Sequence, residues 1–164
     1  VKEDFKMLRS WVDNPAILYQ FAGPLFSYPL TDSQLCEYVE TPDIQPFKIV
    51  FTDTNEHIGH CELNLTNGQN RLSRILIGRK DLRGQRIGQR AVEIMAAMLF
   101  EKPEVMAIDL NTFDWNKAAI CCYKRVGFQI NEEATEPMIV KDQVWTKLNL
   151  VLHRAVFEAR NSPI

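Results

Sequence analysis

Between residues 47 and 128 the hydrophobic period of the chain changes from two to 3.6, and that order limits the fold. Phe47 to Thr52, Ile58 to Leu65 and Leu72 to Ile77 are short β-branched and aromatic runs. They are separated by the turns Asp53–Glu56 and Thr66–Asn70. Three such runs joined by short turns predict an antiparallel meander. The next stretch, Gly84 to Phe100, carries Ile87, Ala91, Ile94, Met95, Met98 and Leu99 at helical spacing. A strand from Val105 to about Thr112 follows, then a helix from Asn116 to Val126, and the chain closes on a strand from Val144 to Leu152. A meander followed by β-α-β-α-β predicts an α/β class: one mixed sheet with helices on both faces, in a single domain over residues 1–164.

The first forty residues predict helices. Glu3 to Val12 has Phe5, Leu8, Trp11 and Val12 at helical spacing, Asn14-Pro15 breaks it, and Thr31-Asp32-Ser33 offers caps before Leu35, Tyr38 and Val39. The aromatic stretch from Phe21 to Pro29 carries two prolines and predicts a loop that packs on the core or lines a cleft. The segment from Asn131 to Asp142 is also expected to be a loop.

A net charge of −2 gives no broad electropositive field, so nucleic acid is not expected as a partner. No apolar run is long enough to span a membrane. The chain starts at Val1 rather than Met, so truncation at the N-terminus stays open. Cys36, Cys61, Cys121 and Cys122 show neither a disulfide framework nor zinc spacing. They are expected to be buried apolar residues in a reducing, cytoplasmic setting, with no metal site.

Two segments carry chemistry. The first is Arg83-Gly84-Gln85-Arg86-Ile87-Gly88, between a strand and an amphipathic helix. The first turn of a helix presents unpaired N–H groups that favour an anion. Glycines let a diphosphate approach, and Arg83 and Arg86 add charge. Neither the P-loop nor the dinucleotide fingerprint is present. The second segment runs from Asn116 to Phe128. Asn116 fits an N-cap, Gly127 a helix stop, and Tyr123 either a core aromatic or a catalytic hydroxyl.

Taken together, the two segments resemble motifs A and B of the GNAT superfamily of acetyltransferases. Motif A of that family reads Arg/Gln-x-x-Gly-x-Gly/Ala, and motif B is matched here by Asn116, Ala119, Tyr123, Gly127 and Phe128. Asp4-Phe5, Leu8, Trp11, Ile58-Gly59 and Trp145-x-x-Leu148 resemble the branch with ribosomal-protein N-terminal and spermidine acetyltransferases. One departure is Arg86, which stands where the family's first motif A glycine is expected.

The resemblance implies acetyl-CoA as co-substrate and direct acetyl transfer to a primary amine, on a small molecule or a peptide. It implies cofactor contacts at Leu76, Ile77, Arg83, Gly84, Gln85, Arg86, Ile87, Gly88 and Asn116, with Tyr123 as general acid. Glu62 is the candidate base, on a strand face with Ile58, His60 and Asn64 that looks either into the cleft or to solvent. His60, Ser73, Asp109 and Asn111 are further candidates. A homodimer is expected from the family. Two other readings stay open: a non-catalytic acyl-CoA-binding sensor, which Arg86 favours, and an interaction protein, which the Phe21 to Pro29 stretch favours.

Overall fold

The computed structural model describes residues 2–140 and 142–161. Six strands form one sheet in the order β1-β2-β3-β4-β6-β5. They are β1 (Ile44–Phe51), β2 (Glu56–Asn64), β3 (Arg71–Ile77), β4 (Ala107–Phe113), β5 (Gln129–Val140) and β6 (Gln143–His153). The sheet is mixed, as expected: β3 runs parallel to β4, while β1/β2, β4/β6 and β5/β6 are antiparallel. The chain divides into two compact units, one reaching to Gln69 and including Ser73–Gly88, the other made of Asn70–Leu72 and everything from Gln89 on.

In the first unit, α1 (Lys2–Trp11), α2 (Pro15–Ala22) and α3 (Asp32–Val39) accompany β1, β2 and most of β3. Asn14-Pro15 does more than end α1. The Asn14 side chain accepts from the Ile17 N–H at 2.9 Å and Pro15 supplies the first helical position, so the pair opens α2. Phe21 therefore belongs to a helix, not to a loop. Thr31 caps α3 as predicted. Phe5, Leu8, Val12, Leu18, Phe21, Leu30, Leu35 and Tyr38 form one buried cluster. Two glycines permit close approach. A Cβ at Gly59 would run into the Leu76 carbonyl oxygen, and one at Gly78 into the Trp11 indole.

In the second unit, α4 (Ile87–Phe100) buries Ala91, Val92, Met95, Ala96, Leu99 and Phe100. The helix starts three residues later than the spacing suggested. Its core face is rotated, so Ile94, expected inside, is 49% exposed. α5 (Lys117–Val126) ends at Gly127, whose φ of 118 is the left-handed conformation a glycine stop provides. Residues 131–140 of the expected 131–142 loop belong instead to strand β5, while Asp142 stands in a turn and residue 141 lies outside the described residues. The polar run of β5 hides a strand because β5 is a sheet edge, where Pro137 is tolerated, and because the pairing with β6 shifts between Asn131 and Glu136. The chain does not close on β6 either, since α6 (Arg154–Asn161) follows. No residue of α6 is buried, but Arg154 ties it down: Nε donates to the Val105 carbonyl at 2.9 Å and Nη2 to that of Lys102 at 2.6 Å.

Only Cys61 among the four cysteines is buried; Cys121 is exposed, and Cys36 and Cys122 are half-buried. No helix among the described residues is long and apolar enough to cross a membrane.

Candidate active site

β3 pairs with β4 only at Arg71 and Leu72. The carbonyl of Leu76 faces Gly59 of β2, and the Gly78 N–H donates to Ile58 of β2 at 2.9 Å. Alternation along a strand then turns Ile77 to the other edge. There its carbonyl accepts from Arg83 Nε at 3.0 Å. Leu76 itself packs its side chain against the helical cluster of the first unit. The two residues expected to meet the cofactor thus divide: Ile77 presents backbone outward, Leu76 presents it to β2.

Beyond β3 the chain turns through Lys80–Leu82 and Arg83 before α4 starts. Arg79 clamps this turn, pairing with Glu56 and, at 2.6 Å, with Asp81. The Gln85 amide donates to the Asp81 carbonyl at 3.0 Å. Gly84 takes φ 81 with open space where a Cβ would be, and Arg86 takes φ 62. A left-handed residue directly before the helix explains why glycine suits position 86. An arginine there keeps the same backbone turn at a conformational cost of roughly 1 kcal/mol. Arg83, Gly84, Gln85 and Arg86 are all exposed, and Ile87 and Gly88 form the first turn of α4. Exposed N–H groups at the start of a 14-residue helix, beside arginines, suit an anion.

In α5, Asn116 Oδ1 accepts from the Ala119 N–H at 3.3 Å, so Asn116 acts first as the helix cap. Tyr123 lies two turns further and is 8% exposed, with its ring beside Phe128. Its hydroxyl makes no hydrogen bond among the described residues. Burial pushes its proton affinity well above the usual tyrosine range, with the neighbouring Cys122 adding to it.

Glu62 does not look to solvent, one of the two positions its strand face left open. It is 0% exposed. Arg74 Nη1 donates to both of its carboxylate oxygens, and the Tyr38 hydroxyl donates to Oε2 at 2.5 Å. A carboxylate held in this way is already engaged on both oxygens. It belongs to a buried cluster within the first unit: Arg74 lies over the Tyr38 ring at 5.3 Å, and Tyr38 also meets His60 Nε2 at 3.2 Å. Arg74 had no signal in the sequence. It reaches Glu62 from a strand position with φ 48, a kink that no hydrophobic pattern announces. Asp109, another candidate, is bound by Arg71 at 2.5 Å, and Asn111 accepts from the Asn149 amide at 2.9 Å. Ser73 is half-buried on β3.

His60 is not a base at neutral pH in this setting. Burial, reinforced by the Arg74 charge and His57, lowers its pKa to about 3. The unfolded chain protonates His60 as pH falls through about 6.5, whereas the native state does so only near 3. The unfolded state therefore binds more protons across that window. The stabilisation is complete above about pH 6.5 and is lost progressively below it. Urea unfolding at pH 7 and pH 5 should show a loss of stability that is smaller by about 1–2 kcal/mol in His60→Gln. An equal loss in both proteins would mean that His60 is not held neutral.

The pattern of the acetyltransferase (GNAT) domain matches residues 1–129, and the chain belongs to this family. Among solved structures, aminoglycoside acetyltransferase AAC(6')-Ib in complex with coenzyme A matches with a TM-score of 0.75 and 20% identity, over 99% of this chain and 96% of that one. Spermidine N-acetyltransferase from Vibrio cholerae, in complex with CoA and spermine, matches with 0.76 and 13% identity, over 96% and 94%. An uncharacterized protein from Bacillus halodurans gives 0.77 and 16%, over 98% and 84%. At these identities the likeness is one of fold.

Proposed function

We propose that the chain transfers an acetyl group from acetyl-CoA directly to a primary amine. The observation that carries this reading is the turn from Gly84 to Ile87. Its left-handed residues lead the chain into the N-terminus of α4, with Arg83 and Arg86 alongside, a cradle for the diphosphate of a CoA thioester. The outward backbone of Ile77 suits an amide of the pantetheine arm, once the Arg83 side chain leaves its carbonyl.

The acceptor must be neutral to attack. An alkylammonium has a pKa of about 10, so it must first lose a proton. With Glu62, His60 and Asp109 engaged as described, that proton passes to water. The amine nitrogen then bonds to the thioester carbon and the carbon–sulfur bond breaks. The thiolate is stabilised by the Tyr123 hydroxyl, and the second amine proton balances the charge on sulfur. That the two similar enzymes are an aminoglycoside and a spermidine acetyltransferase supports an amine acceptor here. The location we infer is the cytoplasm, consistent with four free thiols.

Calorimetry with acetyl-CoA and free CoA tests the cofactor reading. The chain is expected to bind both, and Arg86→Gly to bind about tenfold more weakly, having lost one charge-assisted contact. If the chain binds neither and Arg86→Gly binds both, Arg86 closes the cradle and the enzyme reading fails. A second reading, an acyl-CoA-binding protein that transfers nothing, is favoured by the side chain at Arg86. It predicts binding without turnover across a panel of amines.

A further inference from the structure

Two arginines beside the turn after β3 are held very differently. Arg79 is pinned by two carboxylates, Glu56 and, at 2.6 Å, Asp81. Arg83 is exposed. Asp81, the carboxylate nearest to it in sequence, is already taken by Arg79. Among the described residues the Arg83 side chain makes one hydrogen bond, from Nε to the neutral carbonyl of Ile77 at 3.0 Å.

That carbonyl stands on an edge of β3 where the pairing with β4 has already ended, at Leu72. Its neighbours Leu76 and Gly78 turn to β2 instead. An unpaired backbone acceptor on a strand edge is a template for an incoming N–H. In the free chain the Arg83 guanidinium fills that role. A phosphate-free ligand that pairs with Ile77 must displace the guanidinium and gives it no acceptor in return. A ligand carrying a diphosphate gives it a better one. A phosphate accepts two parallel N–H bonds from an arginine and meets its charge, and a carbonyl does neither. The turn from Gly84 to Ile87 begins at the next residue, so rotation of the Arg83 side chain moves it from one acceptor towards the other.

We infer that Arg83 is a specificity-determining latch on the donor. Its guanidinium covers the Ile77 carbonyl until a diphosphate draws it away, so the chain takes a phosphorylated pantetheine thioester and disfavours a phosphate-free one. This inference rests on the CoA reading above.

The test is calorimetry of pantetheine and of CoA, with the unaltered chain and with Arg83→Met, which keeps an unbranched stem and lacks the donors. The latch predicts effects of opposite sign. The substitution should tighten pantetheine about fivefold, because the carbonyl is freed, and weaken CoA about tenfold, because a phosphate contact is lost. Saturating inorganic pyrophosphate should also tighten pantetheine in the unaltered chain, and should have no such effect in Arg83→Met. An arginine that only contacts phosphate leaves pantetheine binding equal in the two proteins. An arginine that only supports the turn weakens both ligands together on substitution. Either result overturns the latch and leaves the CoA reading standing. If the unaltered chain binds no CoA, the CoA reading fails and the latch falls with it.

Discussion

Tyr123→Phe is expected to lower kcat for acetyl transfer by about 10² to 10³, the usual loss when one donor to a developing negative charge is removed. Tyr123 is 8% exposed, and burial raises its proton affinity, so the hydroxyl stays protonated at every working pH. A tyrosine held in this way does not fully surrender its proton to a thiolate whose own pKa is about 8.5. In the proposed mechanism it serves instead by hydrogen-bonding the sulfur as the carbon–sulfur bond breaks. That bond matters in the transition state and little before it, so KM for acetyl-CoA should barely change. The ring keeps its contact with Phe128, and the missing hydroxyl has no described partner to orphan. Urea unfolding of the variant should match that of the unaltered chain. An unchanged kcat, or a loss explained by lowered stability, would remove Tyr123 from the chemistry.

The second large effect concerns folding. Arg74→Met leaves Glu62 fully buried, with only the Tyr38 hydroxyl to compensate its charge. Breaking a buried ion pair by removing one partner typically costs about 3–5 kcal/mol. The variant is expected to lose that much stability in urea unfolding at pH 7. Adding Glu62→Gln should restore a large part of it, because a neutral amide needs no counter-charge. The Arg74 side chain is 13% exposed, so solvent screens this pair only slightly. If Arg74→Met unfolds at the same urea concentration as the unaltered chain, the cluster does not hold a charged carboxylate. If the double variant is no better than the single, the loss comes from packing around Tyr38 rather than from the charge.

Much of the frame was legible in the sequence, because local pattern and local chemistry control it. Alternation marked β1, β2 and β3, a 3.6 period marked α4 and α5, and the caps at Thr31, Asn116 and Gly127 lie where side-chain oxygens and a missing Cβ act on their own backbone. The family motifs belong to the same category, since each is a contiguous stretch that forms a single turn or helix. The details that failed were those decided at a distance. Ile94 and Ile87 fit the same stripe on paper, and only the packing of α4 shows that Ile94 points to solvent. β5 has no strand pattern of its own and exists because β6 supplies hydrogen bonds to an edge. α6 has no buried face and is held by Arg154 reaching back to carbonyls 49 and 52 residues earlier.

The site divides along the same line. Arg83, Gly84, Arg86 and Tyr123 were readable as a phosphate turn and a hydroxyl on a helix. That Arg86 takes a left-handed conformation was decided by the turn into α4. That Glu62 is locked between Arg74 and Tyr38 was decided by side chains 12 and 24 residues away in sequence. The sequence by itself determined the class of fold and marked the turn and helix on which the proposed donor site rests, because helix ends and glycine turns are local devices. Only the tertiary structure decided which carboxylates are free, because a charge is available or spent according to neighbours that no spacing along the chain reveals.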